Sequence, residues 1–347
     1  MTGVAGSQVR GFEGSRGRRF ALRDGIQRVN RAPVILAGVW AMTVLVSLPL
    51  TLSLRRALAD HLGASLAADS AAAGVNAEWM QEFADTASGA AATFKPTIIG
   101  FGAVLDNLSG FVDDVERPAA IVATASLFVG LWIFLTGGII DRYARERPTH
   151  GHGFFAACGA FFFRFLRLAL AQWLVYAFLF AYVHNWLFET LYPRITHEVN
   201  VERTAFLVRL TLYLVFGILT AATAMIFDYA KVRAVVEDRR SILGAVNAAL
   251  GFIRRNYAAA VGLFLVDFAL FGGIVAIYAL VAPSAGAPLA VSVAVGQAYI
   301  VARLWVKLVF WASETALFQA RLAHAGYVLR AAPAWPDSPA AEAIRRS

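Results

Sequence analysis

The chain has 347 residues, 59% of them hydrophobic and only 16% charged, with a formal net charge of +8 and a mean hydropathy of +0.61. An ordinary soluble domain carries about 25% charged residues, so a chain this apolar cannot coat itself with a polar surface, and a soluble globular enzyme is excluded. Disorder, collagen and coiled coil fail on the same composition, which leaves an all-α polytopic membrane helical bundle.

Residues 1–32 read as a basic N-terminal segment ending in an interfacial helix, with seven arginines against Glu13 and Asp24. A bilayer core takes about 20 mostly apolar residues per helix. Six stretches meet that length within a membrane domain over 33–318: residues 33–54, 119–140, 168–188, 205–227, 257–282 and 289–318. The first is too long for a signal-peptide core and reads as an uncleaved span. An outward loop or cap follows at 55–118, in which Leu58 to Ala73 continues the first helix and Trp79 and Phe83 sit among carboxylates. Thr97 to Leu105 is apolar but too short to span, so it forms a re-entrant or interfacial element or the core of a small helical cap. Pro283 to Pro288 is a turn that makes the last two spans a hairpin. Residues 319–347 form a tail.

Orientation follows from Lys and Arg, which collect on the cytoplasmic side. Arg142, Arg145, Arg147, Arg164 and Arg167 flank the second loop, and Lys231, Arg233, Arg239, Arg240, Arg254 and Arg255 the fourth. The 55–118 segment instead holds nine carboxylates against four basic residues. Both termini are therefore expected in the cytoplasm. The Ala and Arg richness points to a bacterial host and so to a multi-pass protein of the inner (cytoplasmic) membrane.

The odd-numbered spans share a prelude in which an Ala and an Arg stand ten residues apart: Ala21 to Arg31, Ala157 to Arg167 and Ala245 to Arg255. The even spans end alike, in Tyr143-Ala144-Arg145-Glu146-Arg147 and Tyr229-Ala230-Lys231-Val232-Arg233. The reading is three copies of one unit, an interfacial helix followed by two spans. Arg31, Arg167 and Arg255, with Arg145 and Lys231, then form an interfacial collar. Such a collar anchors the spans or binds anionic lipid headgroups.

The stretch Asp228 to Ser241, continued by Ala245 to Asn256, resembles a pattern in bacterial membrane families: the YciC-like proteins and the membrane domain attached to some glycerophosphodiester phosphodiesterases. There a span ends in an acidic-then-Ser loop, followed by an amphipathic helix and the next span. The resemblance covers about 60 residues and implies a six-span plan. It implies no catalytic residue, because the phosphodiesterase chemistry of those fusions lies in a separate soluble barrel.

Ionisable residues inside a span are costly and mark functional candidates. Asp267 lies eleven residues beyond Asn256, about 16 Å into the membrane at 1.5 Å per residue. Arg303, Lys307 and Glu314 share one face of the sixth span. Counted back from Gln319, Lys307 reaches about 18 Å. Asp267 and Lys307 are thus expected at one depth, either as a buried ion pair or as the proton or substrate site of a transporter. Gln172, His184, Arg209 and Gln297 could add polar lining.

No nucleotide-binding Gly-rich loop, His-Glu-x-x-His pair or Gly-x-Ser-x-Gly elbow occurs. His150 and His152 have no nearby third ligand. The acidic group Asp106, Asp113, Asp114 and Glu116 fits no calcium-loop spacing, and lone Cys158 can form neither an internal disulfide nor a Cys cluster. No catalytic residue, metal or cofactor is expected, and no nucleic-acid partner. The leading reading is a non-enzymatic integral membrane protein that binds lipid, or protein partners at the collar or outer cap, in an envelope process. The alternatives are a secondary transporter or permease using Asp267, Lys307 and Arg303, and an intramembrane enzyme.

Overall fold

The computed structural model describes residues 20–73, 76–95, 101–146, 150–283 and 287–324. The arginines before residue 20, Arg147, the centre of the 283–288 turn and nearly all of the C-terminal tail lie outside the described residues. Every regular element among the described residues is helical. Helix α1 covers 20–30, and α2 is Pro33–Ala64. The cap carries α3 (Ala68–Ala73), α4 (Ala77–Thr86) and α5 (Phe101–Val112). Then come α6 (Ala119–Arg145), α7 (Gly151–Phe178), α8 (Tyr192–Thr196), α9 (Glu202–Val236), α10 (Ile242–Arg255), α11 (Tyr257–Val281) and α12 (Leu289–His324). Six helical segments are long and apolar enough to cross a membrane, and they coincide with the six expected spans.

The two ends of the bundle differ in chemistry. The C-termini of α6, α9 and α12 meet the amphipathic helices α1 and α10 at a basic end, and the cap sits at the other. The core that holds the spans together is concentrated at the basic end, around Tyr143, Tyr229, Ala230, Leu263, Leu308 and Leu317.

The threefold pattern is realised in two copies of three. Pro33 has no N–H to continue α1 and sits where a proline starts a new helix, so α1 and α2 are separate. Asn256 leaves the helical region at φ −119° and separates α10 from α11. Ser241 caps α10 by accepting a bond from the Gly244 N–H at 3.2 Å. After Arg167 the sequence offers no such breaker, and α7 runs unbroken from Gly151 through the expected interfacial stretch. The third span is also longer than expected. It continues through widened, π-type turns over Leu179–His184 and Trp186–Leu191 to Thr196. Such turns are rare. They precede Pro193, whose ring would clash with the carbonyl of an ordinary α turn.

Two close approaches explain particular glycines. A Cβ on Gly25 would come within 2.7 Å of the Ser313 backbone, so α1 crosses α12 with no room for a side chain. A Cβ on Gly138 would lie 2.5 Å from Cys158 Sγ and 2.9 Å from the Phe154 carbonyl, which fixes the contact of α6 with α7. Small residues at such crossings are the usual solution inside a bilayer, where lipid removes the hydrophobic drive between helices.

The cap has its own small core. His61 of α2 packs against Trp79 and Phe83 of α4, and the Trp79 indole N–H donates to His61 Nδ1 at 3.1 Å. Of the sequence alternatives for the apolar run, the described part forms a surface-lying helix, α5, that buries none of its residues. Its end is fastened to the bundle. The Val112 carbonyl meets His184 Nε2 at 2.8 Å, and Asp113 accepts a short bond from the Tyr213 hydroxyl. That bond, helped by Ser109, Arg209 and His184 against the opposing effect of burial, holds the Asp113 carboxyl below the ordinary aspartate range.

Gly25→Ala and Gly138→Ala are expected to lower thermal stability in detergent by about 1–3 kcal/mol or more, the cost of forcing atoms into a packed contact. Gly272→Ala, with nothing within 4 Å of its Cβ, should be neutral or slightly stabilising. For Asp113 the sign follows from its depressed value: its contribution is complete above the unfolded aspartate pKa of about 3.9. It is lost as pH falls through the lower folded value. Hydrogen-exchange protection of α5 should fall over that acid range, and Asp113→Asn should show the loosened state already at neutral pH.

Candidate functional site: a charged cavity inside the bundle

Helix α12 is enclosed along its basic half. Residues Trp311 to Phe318 are all buried, so every face of the helix meets protein there. In such surroundings each polar group needs an internal partner. The Ser313 hydroxyl lies 2.8 Å from Asp267 Oδ2 on α11 and 3.0 Å from its own helix's Phe310 carbonyl. Thr315 donates to the Trp311 carbonyl at 2.6 Å. Asp267 Oδ1, both Glu314 carboxyl oxygens and the Tyr143 and Tyr229 hydroxyls are buried with no hydrogen-bonding partner among the described residues. Of the two buried carboxyls, Glu314 lies within electrostatic reach of both Asp267 and Asp228.

The expected pairing of Asp267 with Lys307 is corrected. Lys307 Nζ instead lies 3.8 Å from Asp228 Oδ2 on α9, and Asp267 faces Ser313. The α12 residue level with Asp267 is Ser313. Lys307 is six residues from Ser313, about 120° away around the helix at 3.6 residues per turn.

Asp228 is the hub on the other side. It is 4% exposed, receives Lys231 Nζ at 2.9 Å and accepts a long 3.3 Å bond from the Trp311 indole N–H. Lys307 also rests over the Trp311 ring, 4.9 Å from its centre. These groups open onto a cavity of about 610 Å³ between α6, α7, α9, α11 and α12. Three cations line it, Lys231, Arg303 and Lys307, against the one carboxylate of Asp228. Arg303 has no carboxylate partner among the described residues and lies 5.8 Å from the Tyr299 ring centre. The remaining wall is aromatic, from Phe128 and Trp132 through Phe264, Phe268 and Phe271 to Phe310, with Gln172 among the few neutral polar groups. Of the residues expected on one face of α12, Arg303 and Lys307 line the cavity, and Glu314 is buried outside its lining.

The other candidates disperse. Arg145 binds Asp141 on its own helix at 2.8 Å, Arg167 donates to the Phe163 carbonyl, and Arg31 and Arg255 are exposed. Gln297 accepts from the Trp40 indole at 2.8 Å, and His184 and Arg209 belong to the cap attachment. Among the described residues no three His, Cys, Asp or Glu side chains are placed to hold a metal ion.

The buried, bridging roles of two arginines escaped the sequence reading. Arg28 binds Asp24 at 2.7 Å and Glu146 at 2.6 Å, and donates to the Tyr143 carbonyl and to Gln319 Oε1. It thereby ties α1 to the ends of α6 and α12. Arg233 binds Glu237 at 2.6 Å, donates a short bond to the Ala248 carbonyl and stacks on Phe318. The available signal was an acid four residues away in each case, Asp24 before Arg28 and Glu237 after Arg233.

Comparison with protein families, curated proteins and solved structures gives no match.

Removing the hub should cost most. Asp228→Ala leaves Lys231 with no carboxylate in a buried setting and is expected to destabilise by about 3 kcal/mol. Lys307, whose side chain is 45% exposed, should cost under about 1 kcal/mol as Lys307→Met. Because Asp267 and Lys307 share no contact, Asp267→Asn and Lys307→Met should be additive within about 0.5 kcal/mol in thermal melts. A coupling well above that would restore the direct ion pair.

Proposed function

We propose that this chain is a non-enzymatic integral membrane protein that binds an anionic amphiphile, lipid or lipid-like, in the cavity beside Lys307. The observation that carries the reading is the imbalance of its lining, three cations against one carboxylate within aromatic walls. An acidic head would find Lys307, Arg303 and Lys231, and an apolar body would be covered by phenylalanine rings, as ligand pockets with a few placed polar groups require. Basic residues gathered at one end of the bundle support an N-in, C-in orientation in a bacterial inner membrane, with the cavity nearer the cytoplasmic end.

A second reading, secondary transport, is favoured by one specific feature: Asp267 Oδ1 and both Glu314 carboxyl oxygens, buried on the α11 and α12 helices that wall the cavity, have no hydrogen-bonding partner among the described residues. Buried ionisable groups of this kind mark ion or proton pathways in membrane bundles. Both readings use the same cavity and differ in whether its occupant crosses.

Trp132 and Trp311 wall the cavity and touch edge to face, with ring centres 5.3 Å apart. Tryptophan fluorescence should therefore respond saturably to dodecyl phosphate and far less to dodecyl phosphocholine. Arg303→Met and Lys307→Met should each weaken dodecyl phosphate about tenfold, the scale of one charge-assisted hydrogen bond. Equal, non-saturating responses to the two detergents would remove the cavity as a binding site. Uptake of the amphiphile into proteoliposomes, abolished by Glu314→Gln with binding intact, would select transport.

A further inference from the structure

A second cavity, of about 760 Å³, lies between α2, α6 and the start of α7. It lies across α6 from the first, which is lined by Phe128, Trp132 and Thr136, whereas this one is lined by Leu127, Leu131 and Phe134. Its α2 wall is built from Val34, Gly38, Met42 and Leu45, positions that fall on one face at helical spacing. From Val34 to Val46 the groove runs twelve residues along α2, roughly 18 Å at 1.5 Å per residue. One leaflet's share of a hydrocarbon core about 30 Å thick is roughly 15 Å. The groove is thus about as long as one leaflet is deep.

Its basic end carries two arginines, Arg31 and Arg142. Arg28, Arg145 and Arg233 in the same region are each held by carboxylates. Arg31 and Arg142 make no ion pair and no side-chain hydrogen bond among the described residues. Two uncommitted guanidiniums at one end of an apolar, leaflet-deep groove match one chemistry, a phosphodiester joined to an acyl chain. Guanidinium binds phosphate oxygens through paired N–H donors, and the chain replaces lipid contacts along α2 and α6. A zwitterionic headgroup would bring its own ammonium toward the same two cations, so net-anionic lipid is favoured.

We infer that the α2–α6 groove is a binding site for a net-anionic glycerophospholipid of the bilayer, with its phosphodiester held by Arg31 and Arg142 and one acyl chain along Gly38. This site is separate from the Lys307 cavity and stands whether or not that cavity binds a ligand. Gly38 offers a means of blocking it, because it lines the groove and a Cβ there meets nothing within 4 Å.

The test is native mass spectrometry of detergent-purified protein titrated with phosphatidylglycerol or with phosphatidylcholine of the same chains. The wild-type chain should retain phosphatidylglycerol at least tenfold better. In an Arg303→Met/Lys307→Met background, which disables the first cavity, Arg31→Gln combined with Arg142→Gln should erase that preference. Gly38→Phe should remove the bound lipid while both arginines remain, and Lys307→Met should leave it in place. Three results would each overturn the site: equal retention of the two lipids, retention that survives both groove variants, or loss on Lys307→Met alone. Displacement by inorganic phosphate at concentrations matching the lipid would likewise reduce the groove to a free-anion site.

Discussion

The enclosure of α12 is the constraint from which most of the structure follows. Over Trp311 to Phe318 the helix is buried on every side, and no water is at hand for its polar side chains. Its neighbours are arranged to answer that need. Asp267 brings α11 to Ser313, Asp228 brings α9 to the Trp311 indole, and Gly25 lets α1 close over the Ser313 backbone. Glu314 is the exception on this helix, enclosed and with no hydrogen-bonding partner among the described residues.

Charge does two different jobs at the basic end. Arg28 and Arg233 are buried and held by carboxylates, and they act as fasteners: Arg28 donates to the Tyr143 carbonyl in the last turn of α6, and Arg233 to the Ala248 carbonyl within α10. Arg31, Arg142, Arg303 and Lys307 line cavities, and among the described residues only Lys307 of these has a carboxylate beside it, Asp228 at 3.8 Å. Helix α6 divides the two cavities, so one wall serves a charged aromatic chamber on one side and a more aliphatic groove on the other.

The six spans were legible because length and apolarity alone define them, and all six reappear as helices. What could not be read was azimuth and how far one helix is shifted along the next. Asp267 and Lys307 were matched by depth from an assumed boundary at Gln319. The level partner is Ser313, six residues from Lys307. The threefold pattern was visible in Ala-to-Arg spacing, but a break in a helix needs a breaker. Pro33 and Asn256 supply one, and nothing after Arg167 does. Lys307 and Arg303 were identified from their cost inside a span, whereas Asp228, one residue past the expected fourth span, carried no such signal. Its role as hub depends on α12 passing beside it, a contact no local pattern encodes.

The crossing of α6 and α7 has a practical side. Gly138 presses against the sulfur of Cys158, the chain's single cysteine, which is completely shielded. A thiol enclosed by helix backbone is closed to bulky maleimide reagents as long as the fold persists, so the native chain behaves toward them as though it were cysteine-free. Any cysteine introduced at the exposed Arg31 or in the cap would then be the sole labelled position. The sidedness of the bundle becomes readable by impermeant reagents with Cys158 left in place, and the helix crossing it supports stays intact.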